Sequence, residues 1–274
     1  GKKSEEKILR GIEFLKKHSG RYVLGFVLPS IREIASRLDK HSHMDKVVVC
    51  GSVRRMQETI GDVDIVVTSK KPEEVMRDFV GMPEVGHVVA HGDTKSSVRL
   101  KNGLEIDLRV VPPESFGTAV QYFTGDKNHN IEIRKIAIGK GYKLNEYGLF
   151  KGKKLVAGKT EEEIYQNLGM DYIEPEMRTA SGEIEVSQKN KLPNLIGYKD
   201  LKGDLQIQTD WTDGENSIEE MSEAAIKIGL EYICITDHTK ALAMTGGSDE
   251  KKLEKQMAEI DRINKSFKFQ SSRF

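Results

Sequence analysis

The strongest constraint on this chain is a glycine turn, Gly51-Ser52-Val53-Arg54-Arg55, set before Asp62-Val63-Asp64 at the head of the apolar run Ile65-Val66-Val67. Strand side chains alternate, so aspartates two residues apart project from the same face. Gly-Ser at the end of the short apolar strand Lys46 to Cys50 offers a tight backbone turn to a phosphate. A third candidate carboxylate, Asp107, lies in the alternating segment Leu104 to Val111. Three carboxylates beside a phosphate-holding turn suit magnesium-dependent phosphoryl or nucleotidyl transfer. Two ions roughly 4 Å apart can be shared by such a set. Ser52 and the nearby amides would hold terminal phosphates, with Arg55 adding charge-assisted hydrogen bonds.

Each part alone is weak. An Asp-x-Asp in a strand is common, and Arg54-Arg55 by itself reads as a solvated pair. Specificity comes from the conjunction of turn, basic pair, spaced aspartates and a later Asp in a paired strand.

Composition excludes little. The 274 residues are 37% hydrophobic, enough for an ordinary core and for two domains. There is no apolar run of ~18 residues, so no membrane span is expected, and the opening residues lack a signal-peptide pattern. Cys50 and Cys234 sit in apolar strand-like runs and are expected as buried, reduced thiols. Net charge is zero, but residues 1–44 hold ten Lys/Arg against five Asp/Glu, whereas residues 201–274 hold ten against fourteen. A basic leading segment can meet phosphates.

Periodicity predicts an amphipathic helix over Ser4 to His18 and a second helix started by Pro29 and running to about Leu38. Strands are expected over Lys46 to Cys50 and Asp62 to Thr68, a helix over Glu73 to Phe79, and a hairpin of Ser96 to Leu100 with Leu104 to Val111 around Asn102-Gly103. Helices follow over Ser115 to Phe123, Asn130 to Lys140 and Glu161 to Leu168, with short strands and glycine turns between Gly141 and Lys154. Residues 175–200 read as a linker. Beyond it, strand, helix, strand, helix (Asp204 to Thr209, Ser217 to Ile228, Tyr232 to Thr236, Asp249 to Lys265) implies a parallel α/β unit.

Gly51-Ser52-Val53-Arg54-Arg55, with Glu58, Gly61, Asp62 and Asp64, resembles the palm motif of the X-family DNA polymerases. Asp107 to Gly117 and Gln121-Tyr122-Phe123-Thr124-Gly125 resemble its bacterial and archaeal branch. The resemblance implies an α+β fold, a nucleotidyltransferase palm of mixed sheet and helices flanked by helical and small α/β subdomains. It implies Asp62, Asp64 and Asp107 as catalytic metal ligands for two Mg2+ ions, with Mn2+ as an alternative. Arg21, Gly51, Ser52, Arg55 and Gly61 would hold the triphosphate, and Tyr122, Phe123 and Gly125 would lie against the sugar. Asn130 would meet the minor-groove edge of the incoming base, whose acceptors are shared by all correct pairs. Lys95, Arg109 and Arg134 would contact DNA. Glu105 departs from vertebrate members, where a basic residue stands near this place, and suits the prokaryotic branch. The implied partners are gapped or primed double-stranded DNA and deoxynucleoside triphosphates, handled by a monomer in a prokaryotic cytoplasm, associated with the nucleoid.

Asp204-Leu205-Gln206-Ile207-Gln208-Thr209, Asp213-Gly214 and Ile235-Thr236-Asp237-His238 resemble the start of a PHP phosphoesterase domain, a β/α barrel. That family's first motif has two metal-binding histidines where Gln206 and Gln208 stand here. An amide is a poor ligand for a transition metal, so this portion is expected to be incomplete and inactive. The expected organisation is a helical DNA-binding subdomain at 1–44 with part of a helix-hairpin-helix, a palm at 45–125, a nucleotide- and template-side subdomain at 126–174, the linker at 175–200, and a partial PHP domain at 201–274. A non-catalytic DNA-binding scaffold, or a nucleotidyltransferase with another acceptor, stays open at this point.

Overall fold

The computed structural model describes residues 20–271, so the helix expected over Ser4 to His18 and the partial helix-hairpin-helix lie outside the described residues. The chain divides into two compact units, with the boundary between Leu192 and Pro193.

In the first unit, a five-stranded sheet is built from β1 (Met44–Val49), β2 (Asp62–Ser69), β3 (Val85–His91), β4 (Lys95–Leu100) and β5 (Glu105–Val110). Its order is β1-β2-β5-β4-β3, with β2 parallel to β5 and every other pair antiparallel. Alternation decides the two faces. Val63, Ile65 and Val67 of β2 and Ile106, Leu108 and Val110 of β5 enter the main core. Asp62, Asp64 and Val66, like Glu105, Asp107 and Arg109, therefore belong to the opposite face. There Val66 packs with Cys50, Phe116, Ala119 and Val120, and the aspartates lie beyond that apolar patch.

Helix α1 (Leu24–Asp39) covers the core face through Leu24, Val27, Ile31, Ile34 and Leu38. It begins before Pro29, which sits inside it rather than starting it. The apolar period runs straight through, and Pro29 faces solvent, where the carbonyl it leaves unpaired can be hydrated. A two-residue pairing of Tyr22–Val23 with Thr59–Ile60 brings the chain before α1 beside the head of β2. Strand β3 was not expected. It is the sheet's edge, with Gly86 to His91 all exposed, so no inward pattern marks it.

The short helix α2 (Gly51–Arg54) follows β1, and α3 (Pro72–Val80) follows β2. Then come α4 (Phe116–Thr124), α5 (Lys127–Gly139), the antiparallel strands β6 (Lys143–Asn145), β7 (Gly148–Lys151) and β8 (Lys154–Ala157), and α6 (Glu161–Asn167). Asp126 caps α5 by accepting from the His129 amide at 2.8 Å, and Thr160 caps α6. A second core of Ile133, Leu144, Leu149, Ile164, Tyr165 and Ile173 joins these elements. At Gly117, a Cβ would collide with the Thr160 backbone, so only glycine lets α4 approach so closely.

The linker expected over 175–200 is not one for most of its length. Pro175–Met177 forms a 3-10 turn, α7 spans Glu183–Ser187, and Arg178 and Ile184 are buried. Two of its charged residues, Arg178 and Glu183, are buried in ion pairs with Glu161 and His129, while most of its other polar residues face solvent.

The second unit holds β9 (Gly203–Ile207), α8 (Ile218–Lys227), β10 (Tyr232–Ile235) and α9 (Glu250–Ser271), with β9 and β10 parallel. Ser217 and Glu220 form a reciprocal capping box on α8. Cys50 is buried as expected, but Cys234 is exposed on β10. That strand covers only one of its faces here, alternating exposed and half-buried residues.

Candidate active site

At the end of β1 the chain turns sharply over β2. The Cys50 amide donates to the Asp64 carbonyl at 2.7 Å, and Gly51 follows at a φ of +65°. A Cβ on Gly51 would stand 3.3 Å from Asp64 Oδ2. Glycine is required twice over there, by the left-handed backbone and by the carboxylate beneath it. Helix α2 thus places Ser52 and Arg55 directly above the Asp-x-Asp face.

Below this turn opens a cleft of about 510 Å³. It gathers Arg21, Gly51, Ser52, Arg55, Gly61, Asp62, Asp64, Tyr122, Phe123, Gly125, Asn130 and Arg134, residues drawn from five separate stretches of sequence. Arg21 reaches it through the small strand pairing: its guanidinium donates to Thr59 Oγ1 at 3.0 Å and to the Thr59 carbonyl at 2.6 Å, beside Gly61. Arg55 donates to the Thr124 carbonyl. Burial pulls the Arg55 guanidinium below its usual value, with Asp126 opposing and Arg178 reinforcing the shift.

The opposite wall is the end of α4 and the start of α5. Tyr122 and Phe123 stack edge to face at 5.1 Å. Asn130 Nδ2 donates to the Tyr122 carbonyl at 2.7 Å and its Oδ1 accepts from Gln121 at 2.7 Å, which leaves one amide hydrogen uncommitted. Arg134 donates to the Asn130 carbonyl at 3.1 Å and stands over the Tyr122 ring.

The three aspartates share a sheet face but not equally the cleft. Asp64 and Asp107 are register partners on β2 and β5. Burial first, then the Asp62 and Asp107 carboxylates, push Asp64 up to about 6, with Arg109 and Lys95 pulling the other way. Asp62 and Asp64 line the cleft and Asp107 does not. Its Oδ2 is held by Lys95 Nζ at 3.0 Å and by Arg109 Nη2 at 3.3 Å. Lys95 and Arg109, expected on DNA, are thus paired with Asp107, and Arg109 also lies 4.3 Å from the Phe123 ring centre. Among the described residues no three His, Cys, Asp or Glu side chains converge on one point. Mutually repelling carboxylates on adjoining strands are nevertheless the donor set a hard divalent cation takes. Glu105 pairs with Arg99.

Gln57, Asp126 and Lys127, which were not expected there, also line the cleft. Asp126 and Lys127 follow the Tyr122 to Gly125 motif directly, and an Asp before a helix is a cap signal that could have found them. Arg54 also differs from the solvated pair that Arg54-Arg55 suggests on its own. That side chain is no solvated partner of Arg55: half-buried, it turns away to pair with Glu161 at 2.6 Å. His129, for which no role was expected, is fully buried between Glu183 at 2.8 Å and the Tyr165 hydroxyl at 3.0 Å.

The second constellation is built differently. The Asp237 carboxylate accepts from the Thr209 amide at 2.7 Å, Thr209 Oγ1 at 2.5 Å, Thr212 Oγ1 at 2.7 Å and Gln256 Nε2 at 2.6 Å. Gln208 donates to Thr236. Only Asp213 and His238 face each other more openly, at 3.7 Å. With amides at 206 and 208 and the Asp237 oxygens committed, these residues do not fit the metal cluster that the PHP resemblance implies.

A mixed sheet whose one face is core and whose other face offers carboxylates beneath a glycine turn defines a nucleotidyltransferase palm. The family model of the DNA polymerase beta palm matches residues 28–112, and that of the DNA polymerase beta thumb matches residues 119–179. The chain is 38% identical over 271 residues to the DNA polymerase/3′-5′ exonuclease PolX of Bacillus subtilis, covering 97% of this chain and 47% of that protein. It is 35% identical over 145 residues to the Repair DNA polymerase X of an African swine fever virus isolate, covering 48% of this chain and 80% of that protein. The chain belongs to the X family of DNA polymerases. It spans about half the length of the Bacillus relative. No helix among the described residues is long and apolar enough to cross a membrane.

Proposed function

We propose that this chain is a DNA-directed DNA polymerase that extends primer 3′ ends at short gaps during repair. The primer 3′ oxygen would bond to the α-phosphorus of a deoxynucleoside triphosphate as pyrophosphate leaves. The observation that carries this reading is the cleft itself, which unites a phosphate turn, two carboxylates and a base-side helix in one wall-to-wall site.

Ser52, Arg55 and Arg21 supply one neutral and two cationic groups to a triphosphate, and the Gly51 turn adds backbone amides. Tyr122 and Phe123 present flat faces to the sugar, and Asn130 keeps one amide hydrogen for a minor-groove acceptor. Arg134, one turn along α5, faces the template side. Asp62 and Asp64 would hold the cations with Asp107, whose Lys95 and Arg109 contacts both fall on Oδ2. Two bound Mg2+ ions would neutralise the triphosphate and make the primer hydroxyl a better nucleophile. Gapped DNA as the favoured substrate, a monomeric state and a prokaryotic cytoplasmic setting belong to this proposal. So does a C-terminal unit without phosphoesterase activity.

Primer extension on a one-nucleotide gap with magnesium tests it. Asp62→Ala should abolish incorporation while leaving DNA binding and folding in place. Binding without extension at high protein concentration, in the unmodified chain, would instead establish a scaffold.

A further inference from the structure

Behind the cleft lies a buried ionic network that no step above uses. Glu161, 7% exposed, carries a guanidinium on each oxygen: Arg54 Nη2 at 2.6 Å on Oε2 and Arg178 Nη1 at 2.7 Å on Oε1. Tyr172 Oη lies 3.3 Å from both Arg54 Nη2 and Glu161 Oε2. Each end of this network reaches a different wall of the cleft. Arg54 sits in α2 between Ser52 and Arg55, and its Nη1 donates to Thr124 Oγ1 at 2.8 Å, while Arg55 grips the carbonyl of the same threonine. Arg178, fully buried, accepts at its carbonyl from the Asp126 amide at 3.4 Å, the cap of the helix that bears Asn130.

We infer that Glu161 and Arg178 are positioning residues for nucleotide binding, holding the phosphate turn and the start of α5 at a fixed separation. The inference rests on the reading of the cleft as a nucleotide site. Stability alone would not favour this network. A buried ion pair is commonly replaceable by apolar packing without loss, and Arg178 Nη2 is buried with no hydrogen-bond partner, a costly state. The network also sets two guanidiniums, Arg178 fully buried and Arg54 half-buried, against one carboxylate just behind Arg55. The second guanidinium, Arg178, is desolvated, so its charge is poorly screened from Arg55 and the cleft beside it.

The test is binding of magnesium dATP by titration calorimetry, well below the unfolding midpoint, in the full chain. Glu161→Gln keeps the shape and removes the charge, and Tyr172→Phe removes only the bridging hydroxyl. Glu161→Gln should weaken nucleotide binding on the order of tenfold, the scale of a sub-ångström displacement of binding groups. Tyr172→Phe should weaken it by roughly twofold to threefold, the scale of one exposed-edge hydrogen bond. KM should rise with it, and kcat at saturating nucleotide should change less. A dissociation constant within twofold of the unmodified chain in folded Glu161→Gln would overturn the inference, whatever the change in unfolding midpoint. If Glu161→Gln does not fold, Tyr172→Phe decides alone, and an unchanged constant there overturns it. Ser52→Ala is the control for the cleft: unchanged binding in that variant would overturn the nucleotide reading, and the positioning inference with it.

Discussion

Asp64 and Asp107 stand opposite each other on the parallel strands β2 and β5. Like charges directly opposite on one sheet face destabilise a fold, and the rise of Asp64 to about 6 records that cost together with burial. The pairing is therefore a cost to the fold and not a source of its stability.

Asp64→Asn should therefore separate stability from activity. A carboxyl whose folded value is raised weakens the fold as pH climbs from the ordinary 3.8 to about 6, because the unfolded chain ionises first. With chelator present, Asp64→Asn should raise the unfolding midpoint at pH 7 and leave it nearly unchanged at pH 4. Primer extension should fall at least ~100-fold if Asp64 is the cation ligand proposed above. A variant that is less stable and still active would contradict the assignment of Asp64 to the site.

Asn130→Ala probes the opposite wall. The substitution leaves the amide of Gln121, 2% exposed, without its acceptor, a loss of ~1–3 kcal/mol. The midpoint should fall accordingly, by roughly 2–4 °C per kcal/mol in a unit of this size. The nucleotide KM should rise for all four bases alike, because minor-groove acceptors are common to them. A rise confined to one base, measured by steady-state single-nucleotide insertion, would remove Asn130 from this role.

Much of the palm was legible because its signals are short-range. The alternation in Asp62 to Val67 and Leu104 to Val111 states directly which residues face the core, and all three aspartates fall on the other face. What stayed hidden depends on distant partners or lacks a pattern. Strand β3 is exposed along nearly its whole length, so nothing distinguishes Gly86 to His91 from a loop. Arg178 reads as linker because its carboxylate is 17 residues away, and His129 finds Glu183 at a separation of 54. No local rule connects such pairs. Arg54 and Arg55 show the limit most sharply: adjacent and identical in type, one is held in an ion pair with Glu161 and the other lines the cleft.

Buried polar pairs should also shape the acid response. Burial, opposed by Glu183, holds the His129 imidazole below its ordinary 6.5. A histidine with a lowered folded value stabilises fully above 6.5, and that contribution is lost as pH falls below it, because the unfolded chain takes up the proton first. Against burial, which pushes it up, Arg178 and Arg54 hold the Glu161 carboxyl below its ordinary 4.5. Its contribution is present above 4.5 and is lost as pH falls through the lowered folded value. Melting curves should show two descending segments, one beginning near 6.5 and one near 4.5. His129→Gln should flatten the first and Glu161→Gln the second; an unaltered profile in both would show that neither pair is formed.

Asp237 offers the remaining prediction, in the second unit. Its four accepted hydrogen bonds come from Thr209 and Thr212, in the turn after β9, and from Gln256 of α9, and they hold its carboxyl below the usual range despite burial. A carboxylate so saturated has its lone pairs committed to the protein, and the neighbouring Gln206 and Gln208 bring amides where imidazoles would be needed. Asp237 should then act as a structural hub. Asp237→Ala strands the buried Thr209 and Gln256 and should destabilise the second unit by ~1–3 kcal/mol, read as earlier protease cleavage after Leu192. Manganese retained after gel filtration should depend on Asp62, Asp64 and Asp107 and not on Asp237. Loss of retained metal in Asp237→Asn, with the first unit intact, would show that the second unit holds a metal after all.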